Sequence, residues 1–140
     1  MSGNNTMTRG LRNNNPMNIR RDPSIWCRGL ADEQKDELLY TYEAPEWSYG
    51  YALVKLRVYK SWSKLHTIRQ WITRWAQHIK EATYDYIKFV CQEVGMPPDA
   101  EPRIDNKEEM CAILAAMSHF ENGIPAVMED VYKAWEHNKK

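Results

Sequence analysis

The hydrophobic pattern of the chain is clearest between residues 106 and 123, where apolar side chains recur at helical spacing. Positions i, i+3, i+4 and i+7 lie on one face of an α-helix. In this stretch, those positions are held by Met110, Ile113, Leu114 and Met117. The pattern therefore predicts a helix that is buried along one side.

Both ends of this helix carry recognisable signals. Asn106 is a residue type that caps helices, and Glu109 three positions later completes a variant of the capping box. Gly123 suits the left-handed residue that follows a helix, and Pro125 opposes simple continuation. We expect the helix to run from Asn106 to Gly123.

Glu121 is the residue of chemical interest in this helix. It stands eleven residues after Met110 and seven after Leu114, and at about 100° per residue both steps return it to the apolar face. Burial and the negative end of the helix dipole both disfavour the charged form of a carboxyl group. Such a group suits a general acid near neutral pH. The alternative is that the helix ends one residue earlier and leaves Glu121 in water.

Further stretches also show helical apolar stripes. A T-x-x-Q capping box opens one of them at Thr67, and Gly95 closes another. The predicted helices are Trp47 to Lys60, Thr67 to Ala76, Thr83 to Val94 and Pro125 to His137. The side chains expected to be buried are Tyr49, Leu53, Leu56, Ile68, Trp71, Ile72, Trp75, Ile87, Val90, Cys91, Val94, Val127, Met128, Val131 and Trp135.

The N-terminal part of the chain has a different character. Residues 1–8 are polar and are predicted to be a mobile leader, whereas residues 9–140 are predicted to form a single domain. Met17 to Arg20 is the best candidate for a short strand, and the asparagines before Pro16 are turn formers. The predicted fold class is mainly α (α+β), with about five helices around one buried helix and a small N-terminal β or irregular region.

Composition excludes several classes of function. The formal net charge is +0, which gives no overall electrostatic case for nucleic acid, although the first thirty residues are locally basic. The three cysteines and four histidines have no metal-ligand spacing, so we expect no metal and no cofactor. Cys91 and Cys111 fit apolar stripes and are expected to be buried free thiols.

Targeting signals are absent from the sequence. The opening MSGNNTMTRG has no apolar core of a signal peptide, and no stretch is long and apolar enough to span a membrane. We expect a protein without a membrane partner that is made in the cytoplasm. If its target lies in the periplasm or cell wall, other machinery, such as a virion or a secretion system, must deliver it.

The motifs that remain point weakly to carbohydrate. No nucleotide-binding loop, nucleophile elbow, zinc signature or DNA-reading motif is present. What is left is one candidate acid, Glu121, an asparagine-rich turn, and many aromatic residues, since the chain has six tryptophans and eight tyrosines. That combination would suit a site that cleaves glycosidic bonds.

The chain resembles a family of proteins carried by phages and mobile elements. Its members are labelled structural protein P5 or lysozyme-like. Trp26 and Gly29 contribute to the resemblance, which runs in order along nearly the whole chain. Its main segments are RGLRNNNPMNIR (Arg9 to Arg20), PEWSYGYALVKLRVY (Pro45 to Tyr59), TIRQWITRWA (Thr67 to Ala76), TYDYIKFVCQEVG (Thr83 to Gly95) and MCAILAAMSHFENG (Met110 to Gly123).

A second resemblance concerns mechanism. In glucosaminidases and transglycosylases of the lysozyme superfamily, the acid lies in an E-S-G-W-like motif at a helix end, and an N-N-L-F-G-I-K-like turn follows. FENG (Phe120 to Gly123) is similar to the first motif and NNNPMNIR (Asn13 to Arg20) to the second, in reversed chain order. A circularly permuted lysozyme-like domain would have this order. The resemblance implies Glu121 as the acid.

The same resemblance implies a groove beside Glu121. We expect Glu121 to lie near the asparagine-rich turn at the floor of this groove, and the catalytic interpretation fails if the two lie on opposite faces. Aromatic residues are expected to line the groove as well; for Trp47 the alternative is that it begins a helix against the core. The predicted substrate-binding residues are Asn13, Asn14, Asn15, Asn18, Tyr42, Trp47 and Tyr49.

Two differences from the resembled pattern favour a second hypothesis. Met17 stands where the pattern has Gly, and WAQHIKEAT (Trp75 to Thr83) replaces W-A-P-P-S-E-N-x-T, which puts Lys80 in the place of a Glu. The leading hypothesis is cleavage of the β-1,4 bond of peptidoglycan glycan strands by a muramidase, glucosaminidase or lytic transglycosylase. The alternative is a non-catalytic structural or wall-binding protein of a virion or secretion apparatus.

The identity of a second carboxylate is left open by the sequence. A hydrolase needs one to activate water, whereas a lytic transglycosylase can use a hydroxyl group of the sugar itself. The available residues are Asp32, Glu33 and Glu46. A third and weaker hypothesis, a helical nucleic-acid-binding module that uses the N-terminal arginines, conflicts with the neutral net charge.

Overall fold

A computed structural model describes residues 7–139, and within this range the protein is mainly helical. No strand forms in this part of the chain, and β pairing is limited to isolated bridges between Arg20 and Leu39 and between Leu30 and Tyr42. A 3-10 helix, Gln77–Ala82, follows α3. The α-helices are α1 (Arg9–Arg12), α2 (Pro45–Ser61), α3 (Ile68–Trp75), α4 (Thr83–Val94), α5 (Lys107–Asn122) and α6 (Met128–His137).

Helix α5 lies at the centre of the core, as its apolar stripe predicts. It contacts α2, α4 and α6, and Met110, Leu114 and Met117 have no exposed surface. Each fully buried side chain of this size contributes about 1.5–3 kcal/mol of transfer free energy. Burial of the stripe, rather than helix propensity, therefore holds α5 in place.

The predicted signals at the helix ends are largely confirmed. Thr67 and Gln70 form a complete capping box, and Gly95 and Gly123 adopt left-handed φ angles of 72° and 75°. Asn106 caps α5 by accepting a hydrogen bond from the Glu109 N–H at 2.9 Å. The Glu109 side chain does not complete the box, because its carboxylate binds Arg103 instead.

Two predicted helix boundaries are wrong. Helix α2 begins at Pro45 rather than Trp47, since proline suits the first turn, where its missing N–H costs nothing. Helix α6 begins at Met128 rather than Pro125, and Val127 is the residue before it. Val127 is consequently 60% exposed, not buried as predicted.

The predicted strand from Met17 to Arg20 is also wrong. Asn18 has a φ of 53°, in the left-handed region, and this conformation interrupts an extended segment. Only Arg20 forms a bridge. The irregular part of the prediction is confirmed, because the N-terminal region consists of turns and bends around the short helix α1.

Residues 1–6 of the predicted mobile leader lie outside the described range. Thr8, the last residue of that leader, caps α1 and accepts a hydrogen bond from the Leu11 N–H. Cys27, Cys91 and Cys111 are buried free thiols. No helix within residues 7–139 has both the length and the apolar character needed to cross a bilayer.

Candidate active site

Glu121 lies in the last turn of α5, half-buried, and both of its carboxylate oxygens accept hydrogen bonds. Asn18 Nδ2 donates to Oε1 at 2.8 Å. The Tyr86 hydroxyl donates to Oε2 at 2.9 Å, and Trp75 Nε1 donates to the same oxygen at 3.3 Å. The carboxylate therefore has a fixed orientation.

The donors come from separate parts of the chain. Asn18 belongs to the N-terminal region, Trp75 ends α3, and Tyr86 lies in the first turns of α4. They are 103, 46 and 35 residues away from Glu121 in sequence. The site thus exists only once the tertiary fold has brought α3, α4 and α5 against the N-terminal turn.

Tyr86 is held as a neutral donor. Its ring is buried and stacks on Phe120 with 4.3 Å between ring centroids. Burial, together with the negative charge of Glu121, raises the pKa of Tyr86 well above its ordinary value. The hydroxyl group of Tyr86 therefore keeps its proton throughout the physiological range.

Asn18 reaches Glu121 because the turn around it is compact. Its N–H donates to the Asn15 carbonyl at 2.9 Å, and its left-handed φ is tolerated better by Asn than by most residues. Gly10 leaves space for its side chain, since a Cβ atom on Gly10 would lie 2.1 Å from Asn18 Oδ1. Any larger residue at position 10 would displace Asn18.

A neighbouring contact fastens the end of α5 to the same turn. Asn122 Nδ2 donates to the Pro16 carbonyl at 2.8 Å. Thr8 Oγ1 donates to Asn122 Oδ1 at 2.6 Å. Two adjacent residues of α5, Glu121 and Asn122, thus bind the N-terminal region.

Glu121 opens onto a groove of about 460 Å³. The groove walls carry more positive than negative side chains, with Asp22 as the only acidic residue besides Glu121 among the described residues that line it. The lining residues are Met17, Asn18, Ile19, Arg20, Arg21, Asp22, Tyr51, Lys55, Tyr59, Arg74, Trp75, Gln77, His78 and Glu121. The groove, which we call the acid groove, is suited to a ligand that carries negative charge.

Asp22 is the second carboxylate of the acid groove. Its Oδ1 accepts hydrogen bonds from the Ser24 hydroxyl at 2.6 Å and from the Ser24 N–H at 3.1 Å. These bonds to Ser24 lower the pKa of Asp22 below its ordinary value. Asp22 is therefore ionised at neutral pH and can act as a base or stabilise positive charge.

None of the carboxylates named from the sequence as partners of Glu121 lines the acid groove. Asp32 and Glu33 are exposed in the loop after α1. Glu46 binds His137 Nε2 at the start of α2. Asp22 was not among these candidates. The only sequence feature that could have indicated it is its position directly after Arg21.

The asparagines of the turn have mainly structural contacts. Asn13 is buried, where it donates to the Arg9 carbonyl and accepts from Thr41. Asn14 donates to the Tyr42 carbonyl at 3.0 Å. Asn15 is completely buried. These three lie in the same turn as Asn18, but only Asn18 lines the acid groove.

The predicted groove aromatics lie elsewhere. Tyr42 and Tyr49 are buried in the core, where the Tyr49 hydroxyl donates to Ser118 Oγ at 2.9 Å. Burial raises the pKa of Tyr49 to about 12. Trp47 lies in the first turn of α2, where it stacks on His137 at 4.5 Å between centroids, and it lines a second groove beside the acid groove. The aromatic residues that line the acid groove are Tyr51, Tyr59 and Trp75.

Sequence reasoning placed Trp75 and Tyr86 in helices but gave neither a role at the site. One signal could have found them. A buried Trp or Tyr needs a partner for its N–H or O–H, and a carboxylate on the apolar face of a neighbouring helix is a suitable acceptor. The pairing itself depends on how α3 and α4 pack against α5, which periodicity does not specify.

Met17 stands at the position where the resembled pattern has Gly. Its side chain does not block the acid groove. Its side chain has no exposed surface and belongs to the core beneath the groove. Its N–H donates to Ser48 Oγ at 3.1 Å. The altered segment after Trp75 forms the 3-10 helix, in which Ile79 has non-helical angles.

Comparison with known proteins gives one informative relative. No protein-family model matches the chain. Protein P5 of Pseudoalteromonas phage PM2 is 31% identical over 135 residues, which cover 94% of this chain and 82% of the phage protein. Identity at this level over most of both chains shows common descent, and the chain described here therefore belongs to the family of phage protein P5.

Proposed function

We propose that the protein cleaves the glycosidic bonds of peptidoglycan glycan strands and that Glu121 is its general acid. One observation carries the proposal. A half-buried carboxyl group stands in the wall of an open groove and is oriented by Asn18, Trp75 and Tyr86. Fixing a catalytic group in advance contributes to rate because no reorganisation is needed when the substrate binds.

The proposed chemistry is proton transfer to the leaving oxygen. Glu121 donates its proton to the oxygen of the scissile bond while positive charge develops on the sugar ring. The Tyr86 hydroxyl can donate to Oε2 in both states of the acid, since the carbonyl oxygen of a protonated carboxyl group also accepts hydrogen bonds, and the proton on Oε1 is then left for the substrate. Tyr86 is therefore a positioning residue that supports Glu121 before and after the transfer.

Asp22 is the proposed second carboxylate if the reaction is hydrolysis. Its ionised state suits activation of water or stabilisation of the positive ring. A lytic transglycosylase would need no such base. Replacement of Asp22 by Asn thus separates the two reaction types, because it should suppress hydrolysis and leave transglycosylation largely unchanged.

The charge of the acid groove favours peptidoglycan over a neutral polysaccharide. Arg20, Arg21, Lys55 and Arg74 line it. Peptidoglycan strands carry carboxylates on their peptide substituents, or on the lactyl groups where the peptide has been removed, and chitin has neither. Electrostatic complementarity of this kind raises association rates and selects among partners.

The lysozyme-like character expected from the resemblance is part of this proposal. A permuted lysozyme-like domain would put the asparagine-rich turn beside the acid at the helix end. The hydrogen bond between Asn18 and Glu121 supports that arrangement. The proposed site of action is the cell wall, which the protein would reach as part of a phage particle or through other delivery machinery.

A structural role is the second candidate, and a specific observation favours it. Glu121 already has protein donors on both oxygens, and these bonds tie α3, α4 and the N-terminal turn to α5. A carboxylate used only in this way would stabilise a non-catalytic virion protein or wall-binding protein. The two candidate functions predict different effects of removing the Glu121 carboxylate.

The test is Glu121→Gln, assayed by clearing of purified peptidoglycan and by mass analysis of the released products. Gln keeps an oxygen for Tyr86 and Trp75, and its amide can donate to Asn18 once the Asn18 amide flips. We expect loss of at least ~99% of the activity, since general acids contribute roughly 10²–10⁴-fold, with little change in the thermal unfolding curve. Product masses identify the bond and distinguish hydrolysis from transglycosylation.

Glu81→Gln is the matched control, because Glu81 is an exposed carboxylate of the 3-10 helix Gln77–Ala82 that does not line the acid groove. It should clear peptidoglycan at the parental rate. Equal activity of Glu121→Gln and Glu81→Gln would refute the catalytic role of Glu121. Binding of peptidoglycan by the parent protein without any released product would favour the structural candidate.

A further inference from the structure

A second groove lies next to the acid groove. Its volume is about 450 Å³, and it shares the side chains of Tyr51 and Lys55 with the acid groove. We call it the distal groove. Because the same two side chains line both grooves, the grooves are neighbours along one surface of the protein.

Helix α2 supplies the connection between the grooves. Tyr51 and Lys55 are four residues apart and lie on one face of α2, with Lys55 Nζ 5.8 Å from the centre of the Tyr51 ring. Val54 and Val58 form the neighbouring face and line the distal groove only. The surface therefore changes from basic to apolar along the path away from Glu121.

Trp26 is the most exposed of the large apolar residues that line the distal groove. Its side chain is 81% exposed, although a tryptophan is costly to leave in water. Flat indole rings that stand free at the edge of a groove are suited to stacking on the apolar face of a sugar ring. Core packing therefore does not explain why the Trp26 side chain is exposed.

The loop that carries Trp26 is fixed at both ends. The Tyr40 hydroxyl accepts from the Asp22 N–H at 3.1 Å and donates to the Asp22 carbonyl at 2.7 Å. Cys27 is buried in the core. The backbone on both sides of Trp26 is therefore anchored before any ligand arrives, which reduces the entropy cost of binding.

We propose that the distal groove binds a further part of the same glycan strand, with Trp26 stacked on a sugar ring and Lys55 paired with a carboxylate of a strand substituent. The apolar face of Val54 and Val58 contacts the methyl groups of acetyl and lactyl substituents. This inference rests on the proposed function, and it makes the preferred substrate a long, carboxylate-bearing strand rather than a short fragment.

The experiment measures binding in the Glu121→Gln background, so that cleavage does not consume the ligand. Purified peptidoglycan strands and a disaccharide muropeptide are the probes, and the added variants are Trp26→Ala and Trp62→Ala. Trp62 is the matched control, since it is equally exposed at 81% but lines neither groove. We expect Trp26→Ala to weaken strand binding roughly tenfold and Trp62→Ala to leave it unchanged.

Length and charge dependence complete the test. Affinity for the disaccharide should depend on Trp26 much less than affinity for strands does. Lys55→Glu should weaken binding of peptidoglycan strands more than binding of neutral chitin fragments of the same length. That difference should shrink as salt is added, because screening weakens contacts between exposed charges.

Equal strand affinities for Trp26→Ala and Trp62→Ala would overturn the inference, as would an absence of strand binding by the Glu121→Gln protein itself. A parent protein that is dimeric by sedimentation, and monomeric as Trp26→Ala with unchanged strand affinity, would assign the surface to a second copy instead. The proposed catalytic role fails separately, on parental cleavage rates for Glu121→Gln. The two failures are therefore distinguishable.

Discussion

The N-terminal region, residues 7–44, and the helical region, residues 45–139, are held together by different interactions. Polar side chains bind the backbone throughout the N-terminal region, where the side chain of Asn15 alone takes part in four hydrogen bonds. The helical region buries apolar stripes around α5, with Leu114 at its centre. One region is specified by individual hydrogen bonds and the other by periodic burial.

The difference matters because the candidate site lies where the two regions meet. Glu121 belongs to the helical region, whereas Asn18 and Asp22 belong to the N-terminal one. A site of this kind needs both regions folded and docked. The helical region supplies the acid, its buried donors, Lys55 and Arg74, and the N-terminal region supplies Asn18, the second carboxylate and the other two cationic side chains.

The largest expected effect is that of Leu114→Ala. Leu114 is fully buried in α5, and truncation of such a leucine leaves a cavity that costs about 3–5 kcal/mol. This is a large fraction of the roughly 5–15 kcal/mol by which domains are stable. Chemical denaturation should show the loss, and hydrogen exchange should speed up in both regions, because the core supports both.

Val58→Ala is the control for this change, since Val58 lies on the exposed face of α2. Its stability should differ from the parent by less than about 0.5 kcal/mol. Faster exchange confined to the helical region in Leu114→Ala would contradict the view that the N-terminal region depends on the core.

A smaller and more local effect is expected for Asn15→Ala. The change removes the partners of the Tyr40 carbonyl, the Ile19 N–H and the Ser48 hydroxyl. Unpaired buried groups cost about 1–3 kcal/mol each before water compensates, so we expect a net loss of about 2–3 kcal/mol. Hydrogen exchange should accelerate in residues 7–44 while α5 stays protected.

Activity should also fall in Asn15→Ala, because the turn that positions Asn18 is loosened. Asn138→Ala serves as the control for stability and hydrogen exchange, since the Asn138 side chain donates one hydrogen bond to the Ala134 carbonyl at the end of α6. Uniform acceleration of exchange over the whole chain in Asn15→Ala would show that the two regions unfold as a single unit.

The same contrast explains what the sequence could predict. Helices α3, α4 and α5 were predicted almost to the residue, because their apolar stripes and end signals agree with each other. The cap of Asn106 and the left-handed Gly123 are local features that need no knowledge of the fold. Burial of α5 followed from its stripe in the same way.

The N-terminal region and the full site could not be predicted, for a physical reason. The polar contacts of Asn15 reach as far as Ser48, 33 residues away, and the bond from Asn18 to Glu121 spans 103 residues. An asparagine in a turn offers the same donors and acceptors whichever partner it meets. The sequence therefore indicated Glu121 and the asparagine-rich turn beside it, but not the hydrogen bonds that Asn18, Trp75 and Tyr86 donate to the carboxylate.

The smallest effect is expected at acid pH and concerns the N-terminal region alone. Asp36 accepts hydrogen bonds from Arg9 and from the N–H groups of Leu38 and Leu39, which hold the pKa of Asp36 well below its ordinary value of 3.8. A carboxyl group whose pKa is lowered by folding stabilises the protein above its unfolded pKa, and this contribution is lost as the pH falls through the folded pKa. Asp36→Asn should therefore lower the melting temperature at neutral pH, and its curve should approach that of the parent as the pH falls below about 4.

Asp99→Asn provides the comparison from the helical region. The bond between Asp99 and Arg69 also lowers the pKa of Asp99, but the Asp99 side chain is 73% exposed, whereas that of Asp36 is 12% exposed. Solvent screens the exposed pair, so its removal should change the melting temperature less at every pH. If Asp36→Asn and Asp99→Asn shift the melting temperature equally at neutral pH, then the polar contacts of Asp36 stabilise the protein no more than the exposed pair of Asp99 and Arg69 does. The contrast between hydrogen-bonded and periodically buried regions would then hold for Asn15 but not for the region as a whole.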